Sequence, residues 1–156
     1  MLYNILGEKE MSEEWKKTRI FLLVLLLFGL ISTSFIIGSG APGTWKEDRH
    51  EAGDIYSVVV AIASGRYDSS GNMFDWAHHF GGRYWNSLLR TSTYLKVYIL
   101  SDQRSHWVVF YDSTTGGYAE SYPTSTSVVY TYSEASFYEF LTTKSYTYSI
   151  SAIVRP

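Results

Sequence analysis

Four histidines carry most of this chain's capacity for proton transfer and metal binding near neutral pH, because its 156 residues include no cysteine. That absence removes thiolate nucleophiles, thiolate metal sites and disulfides together. Asp75 and His79 stand four apart and would share one face of a helix. With His106 brought alongside, they would make a set of two imidazoles and one carboxylate suited to a divalent metal. His78 would point about 100° away on the same helix. No His-Glu-x-x-His pattern supports the set, and adjacent histidines among aromatics also arise as plain packing features. Ser69 and Ser70 offer hydroxyls, but within Tyr67–Asn72 (YDSSGN) they read as turn residues.

Several elements must hold these groups. Ile55–Ala63 is an apolar run whose β-branched content favours a strand, while Asp54 as N-cap and Gly65 as stop favour a helix. The reading adopted is the helix. Met73–Arg90 carries apolar residues at helical intervals, with Gly81–Gly82 as a break. From Tyr94 the period changes to two. Tyr94–Leu100 and His106–Asp112 read as strands, joined to Tyr118–Tyr122 through a turn at Ser113–Gly117. Ser127–Tyr132 and Tyr146–Val154 add two more, and Ser136 with Glu139 suggests a capping box for a short helix through Leu141. The expected fold class is α+β, with helices packed on four or five antiparallel strands.

The order of these strings resembles the transglutaminase-like branch of the papain-like cysteine-protease superfamily. The matching stretches are Met73-Phe74-Asp75-Trp76-Ala77, Ser87-Leu88-Leu89-Arg90, Tyr94–Leu100, His106-Trp107-Val108-Val109 and Tyr122-Pro123-Thr124. They cover roughly residues 54–124. The resemblance puts Met73 at the nucleophile position, His106 at the base and Tyr122 at the acid, with His78 as an alternative at the first. A thioether has no proton to lose, so acyl transfer by this route is closed. If the turn at Ser113–Gly117 closes a hairpin, Tyr122 neighbours His106, and Glu120 lies some 10–13 Å along at ~3.3 Å per residue. Glu120 is thus the runner-up acid, on condition that the hairpin is bulged. The resemblance implies an inert relative of an enzyme with no cofactor.

Ile20–Ile37 is an uncharged, predominantly apolar run broken by Ser32-Thr33-Ser34, and no charge occurs between Arg19 and Lys46. At ~1.5 Å per residue this run makes a helix just long enough to span a bilayer. Lys16, Lys17 and Arg19 before it place the N-terminus in the cytoplasm. The expected organisation is a cytoplasmic lead over 1–19, a transmembrane helix or signal anchor over 20–37, a linker over 38–44 and an extracytoplasmic α+β domain over 45–156. Secretion after cleavage of the same segment is the alternative. A net charge of -2 supplies no basic field for nucleic acid. Fourteen Tyr and five Trp suit recognition of glycans or proteins, although strands draw on the same residues for packing. The leading expectation is therefore a non-catalytic, membrane-anchored binding or interaction module. Its alternatives are a hydrolase or metal-dependent enzyme using His106 with Asp75 and His79, and a structural subunit of a cell-surface assembly.

Overall fold

A computed structural model describes residues 41–156. The expected lead, the membrane segment 20–37 and the first residues of the linker lie outside the described residues. The described chain forms eight antiparallel strands: β1 (Trp45–Gly53), β2 (Ser57–Tyr67), β3 (Phe74–Trp85), β4 (Arg90–Ser101), β5 (Ser105–Phe110), β6 (Gly117–Thr126), β7 (Val129–Glu139) and β8 (Lys144–Val154). They make two four-stranded sheets, ordered β1-β2-β3-β6 and β5-β4-β7-β8. No helix occurs among the described residues, so the expected α+β, transglutaminase-like architecture is corrected to an all-β one.

Both helices expected in the first half are strands. Val58, Val59, Val60 and Ile62 are stiff at χ1 and favour the pleated conformation of β2, and Gly65 sits inside the strand instead of ending a helix. A Cβ at Gly65 would fall 2.5 Å from the Phe74 ring, so glycine is what lets that ring lie across the β2–β3 ladder. In β3 an irregularity between Phe74 and Trp76 shifts the register, which puts Phe74 and Ala77 on the inner face three residues apart. That spacing imitates a helix. Beyond it the inner face reads Ala77, His79, Gly81 and Arg83, too small and polar to reveal a period of two. The short helix expected after Ser136 is also absent: Ser136 belongs to β7, and Glu139 ends that strand at the hairpin into β8. β1, with its charged run Lys46–Glu51, carries no apolar alternation and is found through its pairing with β2.

The later strands follow their alternation closely. Leu95, Val97 and Ile99 of β4 face inward and are fully buried, opposite Val59, Ala61, Ala63 and Ala77 of the other sheet. Phe137, Val129 and Ala135 from β7 complete the centre of the core. Each Leu, Val, Ile or Phe side chain among them, removed from water, stabilises the fold by about 1.5–3 kcal/mol. At Gly81 the sheets approach so closely that a Cβ would fall 2.5 Å from both Ser133 Oγ and Val97 Cγ2.

The expected hairpin between β5 and β6 does not form. The two strands belong to different sheets, and residues 111–116 carry the chain from one to the other. Arg83 holds this crossing. Its Nε donates to Thr115 O at 2.9 Å and its Nη2 to Asp112 O, while the guanidinium lies over the Trp85 ring. The Asp112 carboxylate accepts the Thr114 and Thr115 amides, which bring its pKa down to about 2.

Candidate functional site

The flank where β5 and β6 run past each other gathers one polar cluster. On β5, His106 shares the inner-face parity of Val108 and Phe110; on β6, Tyr118, Glu120 and Tyr122 share one face. Because the two strands lie in opposite sheets, these faces meet. His106 Nε2 lies 3.0 Å from Glu120 Oε2, and Tyr118 OH donates to the same oxygen. Arg104 Nη1, from the β4–β5 turn, pairs with Glu120 Oε1 at 2.9 Å. Its guanidinium carbon also sits 4.3 Å above the Tyr122 ring.

The cluster continues into the core. Tyr122 OH donates to Ser101 Oγ at 3.0 Å and lies 3.0 Å from His79 Nε2. His79 Nδ1 lies 3.0 Å from Thr131 Oγ1 on β7, so the chain of contacts crosses from one sheet to the other. His79 is 0% exposed, and burial holds its imidazole down at about 4. At the outer end, burial and then the Glu120 hydrogen bond push the Tyr118 phenol up to about 12. The side chains of Arg104 and His106 are 52% and 40% exposed, so the network runs from a dry end to a wet one.

The residues singled out from sequence are distributed differently from the expected triad. Met73 lies in the β2–β3 turn, where its carbonyl accepts the Asp68 amide at 2.9 Å. Among the described residues, no hydrogen bond, ion pair or ring contact joins any two of Met73, His106 and Tyr122. Tyr122 serves His79, and the carboxylate beside His106 is Glu120. The obstacle foreseen for Glu120 vanishes once β5 and β6 cease to be hairpin partners. Asp75 instead pairs with Arg66 Nε at 2.8 Å, so Asp75, His79 and His106 do not come together. Among the described residues, no three His, Asp or Glu side chains stand close enough to hold a metal ion. His78 points to the opposite face from His79 and lies 2.5 Å from Ser121 Oγ. Ser70 Oγ is held by Asp68 at 2.8 Å in an exposed turn.

Chemically, the His106–Glu120 pair is an imidazole oriented by a carboxylate, which is half of a general-base arrangement. The other half is a hydroxyl on the second ring nitrogen. Among the described residues, none is hydrogen-bonded to His106 Nδ1.

A second surface has a different character. The outward face of sheet β5-β4-β7-β8 carries Trp107, Tyr98, Tyr130 and Tyr132 as cross-strand neighbours. Tyr98 and Trp107 rings are 4.8 Å apart, and Trp107 meets the Tyr132 ring at 5.8 Å, edge to face. Trp107 is 56% exposed. Glu134, in the same face, accepts from Tyr94 OH at 2.8 Å, Tyr132 OH at 2.7 Å and Lys96 Nζ at 3.2 Å. These bonds pin two phenols and leave their rings presented outward. Ser149 and Ser151 of β8 extend the face with hydroxyls. Toward the C-terminal end it runs into an open depression of about 590 Å³ lined by Leu100, Val128, Tyr130, Ile153 and Arg155. Composition alone pointed to aromatic recognition without locating it. The parity of Trp107 against Val108 was the signal that would have.

Fold and surfaces together define a β-sandwich with one aromatic, solvent-facing sheet. No protein-family model matches the chain, and no curated protein matches it either.

Proposed function

We propose that this chain is a non-catalytic binding module, anchored in the membrane through residues 20–37 and displayed outside the cell, whose aromatic sheet face takes a saccharide chain. The observation that carries this reading is the exposed Trp107 ring in contact with Tyr98 and Tyr132 on an open sheet, bordered by serine hydroxyls. Sugar rings present apolar C–H faces to aromatic planes and hydroxyls to polar neighbours, and this face offers both. A long glycan needs an open surface more than a closed pocket, and Lys96 and Glu134 within this face pair with each other at 3.2 Å. The test is retention of the detergent-solubilised full chain on immobilised oligosaccharides of defined linkage. Trp107→Ala and Tyr98→Ala should each weaken retention about tenfold or more, at unchanged circular dichroism. Retention that ignores both substitutions would defeat the proposal.

The second reading, a hydrolase, has the His106–Glu120 pair in its favour. Turnover of generic esters or amides that is abolished by His106→Ala would establish it.

A further inference from the structure

The two sheets end in four edge strands: β1 and β6 in one, β5 and β8 in the other. An edge strand presents unpaired N–H and C=O groups, which recruit further strands unless something blocks them. Two of the four are blocked along their length, and a third at one end. β1 places five charged residues between Lys46 and Glu51. β6 is interrupted by Pro123, which has no N–H to offer, and carries Glu120. β8 is plugged near its end, where Asp48 Oδ2 accepts the Ile153 amide at 2.8 Å and Lys46 Nζ donates to Arg155 O at 2.8 Å; its remaining outward row is serine and threonine. β5 has neither proline nor carboxylate nor ammonium, and its outward side chains are Ser105, Trp107 and Val109.

The ladder tells which backbone groups of β5 are free. Ser101 N donates to Arg104 O at 2.8 Å across the β4–β5 turn, so the alternation of an antiparallel pair directs His106, Val108 and Phe110 toward β4. Ser105, Trp107 and Val109 therefore point their N–H and C=O groups away from the sheet. Among the described residues, none of these three makes a backbone bond on that side.

We infer that β5 is a docking edge for a second copy of this chain, the two β5 strands pairing antiparallel about a two-fold axis at Trp107. In that register Ser105 of one copy faces Val109 of the other, and the two Trp107 residues face each other. All six outward backbone groups of each strand then find partners. Arg104 meets Phe110, and no like charges oppose one another across the strands, which is what a self-complementary contact requires. The product is one continuous eight-stranded sheet whose aromatic face runs across the axis. This pairing does not depend on what the face binds.

The test uses the full chain in detergent micelles, where the lack of native cysteine makes engineered thiols unambiguous. Ser105→Cys combined with Val109→Cys should give a disulfide-linked dimer on mild oxidation. Either substitution alone leaves its thiol about 13 Å from its counterpart, at ~3.3 Å per residue, and should give none. Val109→Lys sets a charge on the edge and should lower dimer affinity about tenfold or more by sedimentation, with circular dichroism unchanged. A chain that is monomeric at every concentration overturns the inference. So does a dimer that Val109→Lys leaves intact and the paired cysteines fail to trap.

Discussion

Two clusters tie the sheets together from opposite ends of β4, and they are made of nearly the same parts. At the start of that strand, Arg90 is 3% exposed and its Nη1 contacts both Asp54 oxygens, at 2.8 and 2.7 Å, and Ser57 Oγ at 2.6 Å. Its guanidinium is held between the Tyr146 and Tyr56 rings, with centroids 4.2 and 5.3 Å from Cζ, and Glu139 stands 3.7 Å from Nη2. Roughly 36 Å away at ~3.3 Å per residue, the other end of β4 leads to Arg104, Glu120, His106, Tyr118 and Tyr122. Both clusters have an arginine, a carboxylate and stacked tyrosines. They differ in water. Arg90 is dry and its partners converge on it; Arg104 and His106 are half-exposed, and the sealed members are His79 and Tyr122 at the inner end. An enclosed cation with converging partners acts as a clamp, whereas a network open at one end can exchange protons and contacts with solvent.

That contrast can be broken by substitution. Arg90→Ala leaves Asp54 and Glu139 facing each other without their cation and should cost about 3–5 kcal/mol in denaturant unfolding. Next in size is the sealed histidine. Its folded-state value near 4 lies below the unfolded 6.5, so between those pH values the unfolded chain binds more protons and stability falls with acidification. The fall should approach roughly 3 kcal/mol by pH 4, then level off, and His79→Gln should remove it. Asp54 probes the clamp at lower pH. Burial opposes its ionisation, but hydrogen bonds from Tyr148, Arg90 and the Tyr56 and Ser57 amides bring it to about 2. Its contribution is complete above the unfolded value of 3.8 and is lost as pH drops through 2; Asp54→Asn should lack this acid limb in a pH-dependent melting series. Arg104→Ala should be the mildest, below about 1 kcal/mol, as expected for an ion pair in contact with water. A loss as large as that of Arg90→Ala would make the two clusters equivalent and dissolve the distinction.

The legible part of the fold was the half in which alternation is carried by large apolar residues. Leu95-x-Val97-x-Ile99 on β4 and Ile150-x-Ala152-x-Val154 on β8 show their inner faces in the sequence. β3 hid its own because His79, Gly81 and Arg83 occupy inward positions, and because the irregularity after Phe74 changed parity. β2 was ambiguous between a helix cap at Asp54 and β-branched content, and Asp54 proved to cap a turn and clamp Arg90 instead. In the site, His106 was identifiable as an isolated imidazole in a strand. Its carboxylate was placed out of reach by assuming that consecutive strands pair, a rule that fails where the chain changes sheet.

Residue chemistry alone excluded a thiol nucleophile, a disulfide and a basic nucleic-acid surface, since each of those is a matter of composition. It also set which residues on β4 and β8 face in and which face out, because on those strands a period of two is written in residue type. Which strands become neighbours was decided by packing: the crossing at residues 111–116, pinned by the buried Arg83, puts β5 and β6 in different sheets. That one choice joins His106 to Glu120 and puts β5 at the edge of its sheet among the described strands, and long-range pairing of this kind depends on how two finished sheets cover each other, which no local pattern encodes.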